Sequence, residues 1–203
     1  CESCVYRDAN DVLLCSKYED EIPSKILLGN EECKFFKVKK NIVLDGIMGL
    51  AVGDALGVPV EFESRENLRN NPVKGMMGYG TYDQPEGTWS DDTSLTLCLL
   101  EALIEREYKV TSLANKFVKW YEKAEYTATG KMFDIGRSTY DAINRIISGI
   151  NPVDAGGKSE HDNGNGSLMR ILPLAFYLKD EEDIEKRIEK IYEVSSITHG
   201  HIR

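Results

Sequence analysis

Between Asn41 and Val58 the chain is almost wholly apolar, yet it carries glycine at positions 46, 49, 53 and 57. Spacings of three and four place these glycines on one face of a helix. Each interior glycine costs up to about 1 kcal/mol against alanine, so the helix must recover roughly 3–4 kcal/mol from packing. Very close approach to another helix or to a bound ligand is the expected source. Asp54 interrupts the apolar pattern, Gly57 and Pro59 end it, and Glu61 follows just past the stop.

From Glu61 to Ser90 no period is sustained, and Pro72, Gly75, Gly78, Gly80, Pro85 and Gly87 punctuate the stretch. It reads as a long loop, and loops of that length in a compact domain are usually functional lids or binding loops, or else disordered. Helical patterns then succeed one another over 91–107, 111–125, 135–148 and 182–196, with short joints and no convincing alternating strand. The expected architecture is all-α, with a small cysteine-rich module at residues 1–40 and a main domain at 41–203.

The loop ends on Gly87-Thr88-Trp89-Ser90-Asp91-Asp92-Thr93, opening onto the apolar pattern Leu95, Cys98, Leu99, Ala102, Leu103. Ser90 is a good N-cap and first-turn carboxylates suit the positive end of the helix dipole, so capping alone is one reading. One acid would suffice for that. Asp91 and Asp92 flanked by Ser90 and Thr93 also form a compact set of hard oxygen donors, the kind magnesium, manganese or calcium prefers.

A second unusual stretch runs His161-Asp162-Asn163-Gly164-Asn165-Gly166-Ser167-Leu168-Met169-Arg170. Its glycines can aim several backbone N–H groups at one anion, with Ser167 and Arg170 as further donors. An ordinary glycine-rich loop with helix capping is the plain alternative. The closing Thr198-His199-Gly200-His201 reads as metal-binding, catalytic or merely a helix end, and no zinc is assigned there.

Four cysteines cluster as Cys1-x2-Cys4-x10-Cys15-x17-Cys33. Such clustering suits a structural zinc, with an iron–sulfur cluster and four unliganded thiols as alternatives. The net charge of −9 and the lack of a dense Lys/Arg stripe exclude a nucleic-acid surface. No signal peptide or membrane-spanning run is read, so a soluble, cytoplasmic protein is expected. The chain opens on Cys1 and stops at Arg203 directly after a helical pattern, and both ends are expected to be cut ends.

Gly49-x3-Gly53-Asp54-Ala55-Leu56-Gly57-x-Pro59-x-Glu61, Trp89-Ser90-Asp91-Asp92-Thr93, Asn165-Gly166-Ser167-Leu168-Met169-Arg170 and Thr198-His199-x-His201, taken in this order, resemble the ADP-ribosylglycohydrolase family. The resemblance covers residues 41–203. It implies an orthogonal all-α bundle that holds two magnesium or manganese ions and hydrolyses the bond between ADP-ribose and a modified side chain or small molecule. It makes Ser90, Asp91 and Asp92 the first half of the metal site and Glu61 a base or orienting group beside the reacting ribose. Asn165, Gly166, Ser167, Met169 and Arg170 then belong to the loop cradling the diphosphate, Gly136 to a neighbouring loop, and His199 to the ribose pocket.

One departure is large. The family carries a second acidic metal motif on a late helix, and nothing after His199 supplies it. The expectations are, in order, a fragment of a longer enzyme, a chain completed by a partner, and a truncated module that binds ADP-ribose or a related nucleotide without cleaving it. A hydrolase of another phosphate-containing substrate on the same scaffold is a further alternative.

Overall fold

The computed structural model describes residues 15–18, 22–27, 31–35 and 41–202. The chain divides into two compact units, Cys1–Asp45 and Gly46–Arg203. In the first, α1 spans Ser24–Leu27. Cys15 and Ile22 are buried, the Tyr18 hydroxyl lies 3.5 Å from Cys33 Sγ, and the Tyr18 and Phe35 rings meet edge-on at 5.6 Å. Cys15 and Cys33 are free thiols, whereas Cys1 and Cys4 lie outside the described residues.

The second unit is helical, with no strand among the described residues. Its elements are α2 (Ile42–Gly57, from Gly46 onward), α3 (Arg65–Asn70), α4 (Asp91–Ile104), α5 (Val110–Lys123), α6 (Arg137–Ile147), α7 (Pro152–Ala155), α8 (Leu172–Tyr177) and α9 (Ile184–Ser196). Tight 3-10 turns at 58–60, 80–82, 160–162 and 168–170 join them. The stretch 61–90 is therefore not one loop. Ser64 caps α3 by accepting the Asn67 N–H, a local signal hidden by the absence of apolar periodicity.

α4 is the hub. Its Leu95, Cys98, Leu99, Ala102 and Leu103 pack with Leu113, Phe117 and Trp120 of α5, Ile143 of α6, Leu174 of α8, and Val194 and Ile197 at the end of α9. Fully burying each large apolar side chain contributes about 1.5–3 kcal/mol, which fixes α4 and hence the start of its first turn.

Two expectations about α2 need correcting. Close approach holds at Gly46, where a Cβ would stand 2.6 Å from the Phe176 ring, but Gly49, Gly53 and Gly57 meet nothing within 4 Å among the described residues. And Ile42–Val60, at a mean hydropathy of 1.6, is long and apolar enough to cross a membrane by length and composition. Asp45 and Asp54 interrupt the run to the eye, yet its average stays high. Ile47, Ala55, Val58 and Pro59 of this stretch are buried, and Asp54 is bonded to the start of α4.

Candidate functional site

The local sequence dictates the first turn of α4. Ser90 is extended (φ −95°, ψ −155°) and its Oγ accepts from Asp92 N at 3.3 Å, the geometry of an N-cap. Four helix-start N–H groups normally lack partners, and here Asp54 answers two of them from α2. Its carboxylate accepts from Ser90 N (3.0 Å) and Thr93 N (3.0 Å), and from Ser90 Oγ (2.8 Å) and Thr93 Oγ1 (2.6 Å). Ser90 therefore donates its hydroxyl proton to Asp54 and is buried, so its first role is structural.

Around this turn lies a cavity of about 390 Å³, lined by Gly53 and Gly57, Asp54, Glu61, Asp92 and Asp134 with Val58, Val60 and Ser90. The open glycines of α2 form part of its wall, which accounts for side-chain-free positions that no helix fills. Among these lining residues there is no basic side chain. Burial, then Asp134, Asp92 and Asp54, push Asp91 up to about 8. Burial and a hydrogen bond with Asp134 push Glu61 up to about 7, while Tyr82 pulls it back. Burial and the charges of Asp54 and Asp134 raise Asp92 to about 6. Carboxylates crowded without a counter-charge either hold protons or hold a cation.

No three acidic, histidine or cysteine side chains among the described residues converge as a ready-made metal site. The donor chemistry nonetheless fits a hard divalent ion: every candidate ligand is an oxygen, and the raised carboxylates mark charge that a cation would relieve. Asp92 on the cavity wall and Asp91 buried beside it would hold it.

The glycine-rich stretch builds a second cavity, of about 280 Å³, lined by Asp162, Asn163, Gly164, Ser167, Tyr192 and His199 among others. A Cβ on Gly166 would stand 2.9 Å from the His199 ring, so glycine is what lets loop and imidazole meet. Ser167 and Ser195 hydroxyls are 2.7 Å apart, and Thr198 Oγ1 lies 2.8 Å from His199 Nδ1. Burial, aided by the Arg170 charge, lowers His199 to about 4, so the ring is neutral near pH 7. Asn165 is exposed and its carbonyl accepts from Leu168 N.

The side chains of two residues of that stretch, Arg170 and Met169, turn into the core. Arg170 is fully buried; its guanidinium donates to Val194 O (3.1 Å) and Gly166 O (3.4 Å) and lies 5.2 Å above the Phe117 ring. It supports the loop from beneath because the short turn 168–170 drives its side chain into the core. Met169 likewise packs against the core. Gly136 is the exposed N-cap of α6 and lines neither cavity.

Asp54, Asp134 and Tyr82 escaped the sequence reading. Asp54 left one signal, an acid inside an apolar helix. Asp134 left none beyond its nearness to Gly136.

A family model for ADP-ribosylglycohydrolase matches residues 38–203. The chain belongs to the ADP-ribosylglycohydrolase family. Among its relatives, ADP-ribosylarginine hydrolase Tri1 of Pseudomonas putida is 35% identical over 136 residues, 64% of this chain and 34% of that protein. The ADP-ribosyl-[dinitrogen reductase] glycohydrolase of Rhodospirillum rubrum is 30% identical over 162 residues, 78% of this chain and 51% of that protein. A solved ADP-ribosylglycohydrolase-related protein complex superposes with a TM-score of 0.63 at 32% identity, over 78% of this chain and 49% of that one. The chain thus spans about a third to a half of the length of these relatives.

Proposed function

We propose that this glycohydrolase domain contributes the acidic half of a site that hydrolyses the glycosidic bond between ADP-ribose and a modified side chain, with ADP-ribosyl-arginine as first substrate. The observation that carries the reading is the cavity walled by Asp54, Glu61, Asp92 and Asp134 against the first turn of α4, with Asp91 buried beside it. Cleavage passes through an oxocarbenium-like state, and a wall of carboxylates with no basic neighbour favours positive charge developing on the ribose.

Glu61, held near 7, is suited to take a proton from the attacking water as its oxygen bonds to the anomeric carbon. The bond from the anomeric carbon to the side-chain nitrogen breaks, and the proton that Glu61 took from the water is the one the departing nitrogen gains. A magnesium or manganese ion held by Asp91 and Asp92 would supply Lewis acidity and fix ribose hydroxyls. The loop at 163–167 offers its N–H groups and the Ser167 hydroxyl to the diphosphate, and neutral His199 borders the same cavity.

The test is release of free ADP-ribose from ADP-ribosyl-arginine, with Mg²⁺ or Mn²⁺ and with chelator, beside Asp91→Asn. Metal-dependent turnover that disappears in the variant supports the reading; no turnover with or without metal rejects it for this chain. A second reading has its own support: no three described donors converge on a metal, while the glycine-rich cavity is built. A module that binds ADP-ribose without cleaving it would give a calorimetric titration and no product.

A further inference from the structure

The turn at 80–82 is hydrogen-bonded to two residues that line the acidic cavity, though nothing in its sequence marks it as part of a site. Tyr82 Oη donates to Asp134 Oδ1 at 2.5 Å, and Asp134 lines the same cavity as Glu61. One residue earlier, Thr81 Oγ1 donates to Glu61 O at 2.7 Å. Gly80, at φ +62°, lies flat on the preceding turn: a Cβ there would stand 2.0 Å from Pro59 O. The Tyr82 ring rests on Phe133 with centroids 5.2 Å apart, so the hydroxyl is aimed by packing as well as by the backbone.

The backbone is strained at the same place. Among the described residues, six non-glycine residues have positive φ, and four of them, Phe62, Tyr79, Asp83 and Asp134, neighbour Glu61, flank this turn or are its hydrogen-bond partner. Left-handed conformations at such residues persist only where surrounding contacts over-determine them, and they cluster where geometry matters to function. Asp134 sits in one of them (φ +55°), with the Tyr82 hydroxyl on its carboxylate.

We infer that Tyr82 is a positioning residue, whose hydroxyl anchors the Asp134 carboxylate on the wall of the acidic cavity that it shares with Glu61. The inference rests on the hydrolase reading proposed above. Glu61 arrives on the turn after α2 and Asp134 on the segment before α6, and the turn at 80–82 is bonded to both. Freed of the hydroxyl, Asp134 loses its anchor. Misplacement by about 1 Å in a site of this kind costs up to about a hundredfold in rate.

The experiment is Tyr82→Phe in the full chain, with Tyr177→Phe, an exposed tyrosine on α8, as control. Hydrolysis of ADP-ribosyl-arginine and thermal melting are measured on both, and crystal structures are compared. The expected result is a kcat about ten- to a hundredfold lower, a KM within about twofold and an unchanged melting temperature. A kcat equal to wild type overturns the inference, as does a loss of kcat that merely follows a lowered melting temperature. If the wild-type chain shows no turnover, the hydrolase reading fails by itself and the crystal structures decide the clamp. An Asp134 carboxylate swung away from Glu61 in Tyr82→Phe upholds it, and an unmoved one refutes it.

Discussion

Removing the charge of Asp91 should stabilise the metal-free fold while abolishing function. Asp91 is 6% exposed and its carboxyl is raised to about 8 by burial and by Asp134, Asp92 and Asp54. A carboxyl whose folded-state value lies above its unfolded value binds more protons folded than unfolded. Its burden on stability is therefore absent below about pH 4 and grows as pH rises towards 8. At about 1.4 kcal/mol per unit the ceiling at pH 7 is about 4 kcal/mol. The repulsion is shared with Asp92 and Asp134, and an asparagine must still satisfy its amide, so about 2 kcal/mol is the working figure.

The assay is urea denaturation of wild type and Asp91→Asn in chelator, at pH 8 and at pH 4. The variant should be more stable by about 2 kcal/mol at pH 8, and the gap should close at pH 4. Mg²⁺ or Mn²⁺ at pH 8 should then raise wild type towards the variant and leave the variant unmoved. Equal stability at pH 8, or a less stable Asp91→Asn, would refute the account of the site as unrelieved negative charge.

Three further outcomes are expected. Arg170→Met should destabilise the fold by about 3 kcal/mol in denaturant, because Val194 O and Gly166 O lose a buried donor, whereas a direct phosphate contact would leave stability intact and weaken only ligand binding. Gly166→Ala pushes a methyl to 2.9 Å from His199, and titration calorimetry should show ADP-ribose binding at least about tenfold weaker with a loss of about 1–3 kcal/mol in stability. Because His199 is lowered to about 4 from an ordinary 6.5, the unfolded chain alone takes up a proton between those values. Wild type should then lose stability relative to His199→Asn as pH falls from 6.5 to 4, and parallel melting curves would reject it.

The helical architecture was readable because its cause is local. Leu95, Leu99, Ala102 and Leu103 recur at helical spacing, and Ser90 before two acids marks the start of α4. The same locality made the stretch 61–90 look like an unbroken loop, since α3 and the turn at 80–82 bury no apolar face of their own. Arg170 misled for a related reason: a basic residue closing a glycine-rich stretch looks like an anion donor. Only its path into the core shows that its guanidinium is already engaged.

What the sequence by itself determined is the set of long helices, α2, α4, α5, α6 and α9, and the chemistry at the start of α4, because capping and periodicity act within a turn or two of the backbone. It also determined the family, through motifs that stand in order along the chain. Only the tertiary structure decided that Asp54, Glu61, Tyr82 and Asp134 meet at that turn, that Gly53 and Gly57 line a cavity instead of a helix contact, and that Gly166 makes room for His199. These residues come from segments far apart in sequence, and what joins them is the packing of α5, α6, α8 and α9 around α4 together with the hydrogen bonds that tie Asp54 of α2 to its first turn, which no local stretch encodes.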